Sequence, residues 1–213
     1  MKLSRFSVAT LLLLIIAALS GCTESKEKGI AMAQDFVKAW NSDGDSLNIQ
    51  VEKINSALDS ITFKSPFVNA FIEEATKADS TMTLAAQVLL NDGNDVTSQL
   101  CDEIIDGLAS DKLNYTQASA KIMQLAEVCS KLKKEDLNKA FGQQLDSKAA
   151  ALSLDKQMKV YSSATTPEKL GSALKEDASQ PNADKGLINS QVEALKNIYN
   201  AQDYKKFIDA YQK

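Results

Sequence analysis

Histidine is absent from this 213-residue chain, and cysteine and proline occur only three times each. Without histidine, the chain lacks the side chain that proteins use most often as a general base, a metal ligand and a pH switch. Nucleophiles that depend on an imidazole, such as the serine of a Ser-His-Asp triad, are therefore excluded. The composition is instead rich in alanine, leucine, lysine and acidic residues, which is typical of helices.

Long hydrophobic runs are also scarce, and the clearest one lies near the start of the chain. It covers residues 8–19 and follows the basic residues Lys2 and Arg5. A helix that spans a bilayer needs about 20 apolar residues, so this run is too short. A basic segment, a short apolar segment and then small residues are together typical of a secretory signal peptide. We therefore expect residues 1–21 to be a cleaved signal peptide.

The four residues that end this run, Leu19-Ser20-Gly21-Cys22, resemble the lipobox of bacterial lipoproteins. The resemblance covers about the first 22 residues of the chain. It implies that the Cys22 thiol receives a diacylglycerol, that cleavage occurs just before Cys22, and that the new amino group is often acylated too. Two or more acyl chains anchor a protein stably at a membrane. An ordinary signal peptide that ends near a cysteine is the alternative.

The residue after Cys22 bears on the location of the protein, and the net charge bears on the partners it can bind. Thr23, rather than Asp, follows the cysteine, which by the same resemblance favours the outer membrane if the organism is Gram-negative. The formal net charge of the chain is −4, and it becomes −6 once Lys2 and Arg5 leave with the signal peptide. Nucleic-acid binding needs a basic face, so we expect no nucleic-acid partner.

Periodic apolar residues predict helices along the rest of the chain. Residues 46–63 carry apolar side chains at steps of four and three, and residues 135–161 form the longest candidate. Asp79 and the Thr166-Pro167 pair are typical helix starts, whereas residues 91–95 read as a break in the chain. We predict an all-α fold, a single bundle of seven to nine short helices over residues 29–213, after a polar tether at residues 22–28.

Two further cysteines, Cys101 and Cys129, lie on separate predicted helices with a turn between them. An oxidising compartment permits a disulfide. If the two helices pack antiparallel, the midpoint of the cysteine pair falls close to the centre of that turn, so we expect a Cys101–Cys129 disulfide. The alternative is a pair of buried free thiols that behave as small hydrophobic side chains.

The segment 41–52 is the sharpest candidate for a metal site. It resembles an EF-hand calcium loop, with Asn41, Asp43, Asp45 and Glu52 at the first, third, fifth and twelfth positions. The sixth position, however, is Ser46 where the loop needs glycine. The competing interpretation is a helix that starts near Ser46, with Asp43 or Asp45 as its N-cap. We expect no cofactor, with calcium as the one candidate.

No catalytic set emerges from the remaining residues. Paired carboxylates such as Glu73-Glu74 are common on solvated helix faces, and aromatic residues at helical spacing near the C-terminus are more often core than a binding platform. We therefore expect a non-enzymatic envelope lipoprotein that binds another protein or supports an assembly, with the membrane as a partner through Cys22. The alternatives are a lipoprotein that binds a ligand or calcium between its helices, and a hydrolase that uses carboxylates.

Overall fold

The computed structural model describes residues 6–42 and 44–213, and the side chains from Ser20 onward within those ranges. Over these residues the secondary structure consists of eleven helices and includes no strand, which confirms the predicted all-α class. The predicted number of helices, seven to nine, was too low. The helices are α1 (Phe6–Asn41), α2 (Asp45–Ser60), α3 (Lys64–Thr76), α4 (Ser80–Leu90), α5 (Gly93–Ala109), α6 (Tyr115–Lys131), α7 (Glu135–Ala149), α8 (Leu154–Ala164), α9 (Pro167–Ala178), α10 (Lys185–Ile198) and α11 (Ala201–Gln212).

The chain divides into two compact units, Met1–Asp92 and Gly93–Lys213. Helices α1 to α4 belong to unit 1, and α5 to α11 belong to unit 2. The division falls within residues 91–95, which the sequence marks as a break without indicating a linker between domains. Asparagine, aspartate and glycine at this place favour a turn over continued helix.

Unit 1 is built around the contact between α1 and α3. A Cβ atom placed on Gly29 would lie 2.5 Å from the carbonyl oxygen of Phe67, so the backbones of the two helices approach closely there. Further along, the rings of Phe36 and Phe71 pack with their centroids 5.6 Å apart, and both side chains are fully buried. The later residue of α1, Phe36, contacts the later residue of α3, Phe71, so the two helices run in the same direction. Helix α2 connects them and runs in the opposite direction.

This connectivity places the turns of unit 1 at two ends. The turn between α2 and α3, residues 61–63, lies beside the part of α1 that contains Cys22. The connection between α1 and α2 lies at the other end, after Trp40, which is 5% exposed. The predicted lipid-attachment residue and the predicted calcium loop are therefore at opposite ends of the unit.

Residues 22–28 are helical and not the polar tether that the sequence predicted. Ser25 is 7% exposed, and Gly29 is buried one turn further on. Small residues repeat every four positions on this face of α1, at 21, 25, 29 and 33, so the packing stripe of the helix continues through the expected tether. Charged residues on the other faces made the segment look like solvated chain.

Over the part of the chain that the structure describes, no helix has both the length and the apolar character needed to cross a membrane.

Unit 2 has its closest helix contact between α9 and α11. A Cβ atom on Gly171 would lie 2.4 Å from the carbonyl oxygen of Phe207, so only glycine lets α11 lie this close. Phe207 is fully buried at the centre of a cluster with Leu195 and Met158. Thr166 starts α9 as predicted, since its side-chain oxygen accepts a hydrogen bond from the backbone N–H of Lys169, with Pro167 as the first helical residue.

The longest predicted helix, residues 135–161, is divided into α7 and α8. Helix α7 ends at Ala149, and α8 starts after Ser153, where the chain turns so that α8 packs against α6. Gly142, which has a low helix propensity, stays helical within α7. Serine followed by an acidic residue in the first turn, Asp155, is the local signal for the new start.

Two glycines in unit 2 provide a matched test of this packing. Gly171→Ala should lower the free energy of unfolding by about 1–3 kcal/mol, because the new methyl group must push α9 away from α11. Gly142→Ala meets nothing within 4 Å and should raise it by up to about 1 kcal/mol through helix propensity alone. Urea denaturation followed by circular dichroism measures both. Equal effects of the two substitutions would contradict the close approach at Gly171.

Candidate functional site

Cys22, the predicted lipid-attachment residue, lies on α1 and is partly buried. Its neighbour Gly21 lies against the ring of Phe63, since a Cβ atom on Gly21 would be 2.8 Å from the ring carbon Cε2. Ser25 and Ile61 line a small groove of about 200 Å³ between α1 and the turn that precedes α3. The attachment residue is thus next to the turn at residues 61–63, with no loose chain between it and the folded unit.

The calcium-loop residues are spread over two helices. Asn41 is the last residue of α1, and its side-chain amide donates a hydrogen bond to the carbonyl of Val37. Asp45 is the first residue of α2, and Glu52 lies two turns further along the same helix, about 10 Å away along its axis. Asp43 lies outside the described residues. The structure therefore does not bring Asn41, Asp45 and Glu52 together.

The start of α2 differs by one residue from the competing N-cap interpretation. Gly44 is the N-cap residue, with a φ of 91°, and makes no side-chain capping bond. Asp45 follows as the first helical residue and places a negative charge at the positive end of the helix dipole. Among the residues whose side chains are described, no group of three or more His, Cys, Asp or Glu could hold a metal ion.

Cys101 and Cys129 both face α7, but at opposite ends of it. Cys101, on α5, lies close enough to Lys148 for the ammonium group to affect its pKa, and the adjacent Asp102 forms an ion pair with Lys148. Cys129, on α6, is near the start of α7, where the backbone N–H of Asn138 acts on its thiol. Asn138 and Lys148 are ten residues apart on one helix, which is about 15 Å.

The predicted Cys101–Cys129 disulfide is therefore not supported. The structure has both residues as free, buried thiols. A disulfide needs Cα atoms within about 7 Å. The prediction assumed that α5 and α6 pack against each other along their length because they are consecutive, whereas α7 contacts both helices and keeps the two cysteines apart. The alternative of two buried thiols describes the structure.

Burial also sets the chemistry of these thiols. Loss of solvation raises the pKa of Cys101, and the positive charge of Lys148 only partly opposes this effect. Burial likewise raises the pKa of Cys129 against the opposing effect of Lys134. Because the thiolate is the reactive form, both side chains are poor nucleophiles and poor metal ligands at neutral pH.

The aromatic residues near the C-terminus are mainly core. Tyr199 and Phe207 are 6% and 0% exposed, and Tyr204 and Tyr211 pack partly buried against the same cluster. The rings of Phe207 and Tyr211 are stacked with centroids 6.0 Å apart. The hydroxyl of Tyr199 has no hydrogen-bond partner among the atoms described, and burial raises its pKa. These rings do not form an exposed platform.

A hydrogen-bonded group next to this core was not predicted. The hydroxyl of Tyr115 donates to Asp203 Oδ2 at 2.8 Å and accepts from the side-chain amide of Asn200 at 2.7 Å. The hydrogen bond from Tyr115 is the largest cause of a lowered pKa at Asp203, although partial burial opposes it. This group joins α6 to the start of α11, where Asn200 is the N-cap and Asp203 lies in the first turn.

Tyr115 and Asp203 lie at one edge of an open groove of about 480 Å³ in unit 2. Helix α6 forms one wall, and the end of α8 and the start of α9 form the other. Met123, on α6, is 68% exposed and is the most exposed large hydrophobic side chain among the residues described. The hydroxyl-bearing lining residues are Tyr115, Thr116, Ser119, Ser162, Ser163, Thr165 and Thr166, and the apolar ones are Ala120, Ile122, Met123, Ala164 and Pro167.

No family model, curated protein or solved structure matches this chain.

A thiol titration distinguishes the observed cysteine arrangement from the predicted one. In a Cys22→Ser variant without reductant, the folded protein should react only slowly with Ellman's reagent at pH 8, because both remaining thiols are buried with raised pKa values. After unfolding in guanidinium chloride, two thiols should react at once. A count of zero after unfolding would show that the disulfide forms after all.

Proposed function

We propose that this protein is a non-enzymatic lipoprotein of the bacterial cell envelope, anchored through Cys22, whose helical units act by binding. The observation that carries the anchor is the Leu19-Ser20-Gly21-Cys22 sequence at the end of the apolar run. The surroundings of Cys22 are compatible with it, since the thiol is only partly buried and lies at the surface of α1 beside the turn at residues 61–63. The outer membrane is the proposed location if the organism is Gram-negative, because Thr23 follows Cys22.

The non-enzymatic part of the proposal rests on the available side chains. The chain has no histidine, and both buried thiols have raised pKa values. Three carboxylates that have an acidic neighbour in the sequence form ion pairs: Glu74 with Lys77, Asp102 with Lys148, and Glu103 with Lys121. The hydrogen bond from Lys77 lowers the pKa of Glu74 and keeps this carboxylate ionised, whereas a general acid or base that works at neutral pH needs a raised pKa.

The groove of unit 2 favours a second candidate, a lipoprotein that binds a ligand between its helices. Its volume of about 480 Å³ lies in the range usual for small-molecule sites. Hydroxyl groups and apolar side chains occur on both walls, and Lys169 and Asp203 also line the groove. This lining suits a molecule that has both polar and apolar parts. The groove is equally able to accept a segment of a partner protein, with Met123 as an adaptable contact. The predicted calcium loop stays a prediction, and it would require two turns of α2 to unwind.

Metabolic labelling with a tritiated fatty acid tests the anchor. The wild-type protein should carry label and sediment with membranes, and Cys22→Ala should lose both properties because the acceptor thiol is gone. Cys101→Ala is the matched control, since it removes a buried thiol and should keep the label. Label or membrane association that survives Cys22→Ala would disprove the proposed attachment.

Photocrosslinking in living cells tests the groove. A benzoylphenylalanine at Met123 should give a crosslinked product of constant mass, because this exposed side chain borders the groove. The same residue placed at Leu187, which is 47% exposed on α10 and outside the groove, should give none. Mass spectrometry then identifies the crosslinked species as a protein or a small molecule. Identical patterns from both positions would argue against the groove as a binding site.

A further inference from the structure

The turn between α2 and α3 carries two partly buried hydrophobic side chains, Ile61 and Phe63, on either side of the exposed Thr62. One edge of the Phe63 ring is covered by the backbone of Gly21: a Cβ atom on that glycine would be 2.8 Å from Cε2 and 3.1 Å from Cδ2. The turn lies beside Cys22, at the end of unit 1 opposite the connection between α1 and α2.

Processing of the signal peptide would change this surface. Cleavage before Cys22 removes Gly21 and with it the backbone that covers the edge of the Phe63 ring. The same processing attaches acyl chains to the residue next to the one removed. An aromatic side chain is therefore uncovered beside the point at which the lipid leaves the protein.

The anchor has little freedom to swing away from this turn. Residues 22–28 belong to α1, and Ser25, one turn after Cys22, is 7% exposed and lines the groove that Ile61 and Phe63 also line. A lipid attached at Cys22 therefore holds the turn at residues 61–63 close to the membrane surface.

We propose that the turn formed by residues 61–63 is a second membrane contact, with the Phe63 ring inserted into the interfacial region of the leaflet that holds the acyl chains of Cys22. This inference rests on the proposed lipidation. The occupant of this surface is lipid, since the acyl chains enter the bilayer directly beside it, and phenylalanine is among the side chains that are buried at the boundary between headgroups and acyl chains. Lys64, the exposed residue that follows Phe63, can extend its ammonium group towards the phosphates while its stem stays apolar.

Tryptophan fluorescence in vesicles tests this contact. The protein, purified with its native lipid, is reconstituted into vesicles of phosphatidylethanolamine and phosphatidylglycerol, with or without brominated acyl chains as quenchers. Trp40, the one tryptophan of the chain, is 5% exposed, and it lies about 27 Å along α1 from Cys22. Its emission should be the same in both kinds of vesicle and serves as a constant background.

Phe63→Trp should add emission that shifts to shorter wavelength on reconstitution and is lost in the brominated vesicles. Ile49→Trp is the matched control. Ile49 is 48% exposed on α2, and it lies about 18 Å from Ile61 along the axis of that helix. Its added emission should persist. If Phe63→Trp does not fold, Thr62→Trp places the probe at an exposed position of the same turn and should be quenched in the same way.

The possible outcomes separate this inference from the proposed function. Mass spectrometry of the N-terminal peptide first establishes whether Cys22 is lipidated, and an unmodified Cys22 would overturn both. A lipidated protein in which the probes at residues 62 and 63 are no more quenched than the probe at Ile49 would overturn the membrane contact and leave the anchor in place. Equal quenching at both ends of the unit would also overturn it, because the turn would then have no preferred contact.

Discussion

The close approach of α1 to α3 at Gly29 is the constraint on which the arrangement of unit 1 depends. Only a residue without a Cβ atom lets the carbonyl of Phe67 lie against α1. Once the two backbones are this close, the small residues before Gly29 follow along the same face, and Phe36 meets Phe71 beyond it. The N-terminal end of α1 is thereby held beside the turn at residues 61–63. A larger residue at position 29 would tilt α1 away from α3 and release the segment that contains Cys22.

In unit 2 a glycine also allows two helices to approach closely, where Gly171 meets Phe207, but the consequence is different. Close packing of α9 on α11 buries Phe207 and brings the start of α11 next to α6, where Tyr115 bonds to both Asn200 and Asp203. The groove lies between α6 and the start of α9, and its lining includes hydroxyl groups that donate to local backbone carbonyls, such as Ser163 to Lys159. The site is therefore a consequence of how three helices pack and not of a local motif.

Helix starts could be predicted from the sequence because they depend on hydrogen bonds between residues that are close together in the chain. Asp79 caps α4 as expected, with its carboxylate accepting from the backbone N–H of Met82, and Thr166 with Pro167 starts α9. The disulfide could not be judged in this way, because it depended on which helix lies next to α5, and α7 takes the place that α6 was assumed to have. The groove could not be predicted for the same reason, since the hydrogen bond from Tyr115 to Asp203 at its edge joins residues 88 positions apart. The spacing of apolar residues shows which face of a helix is buried, but it does not show which other helix packs against that face.

The helical state of residues 22–28 has a consequence for any lipid-anchored protein of this architecture. Seven residues of extended chain would reach about 23–25 Å from the membrane, whereas the same residues in a helix span about 10 Å. With Ser25 buried, even that short segment does not act as a hinge. If the chain is anchored at Cys22 as proposed, unit 1 has no flexible stalk between itself and the membrane. Under the proposed lipidation of Cys22, this geometry would keep unit 1 near the bilayer and would favour partners or ligands that are themselves held at the membrane.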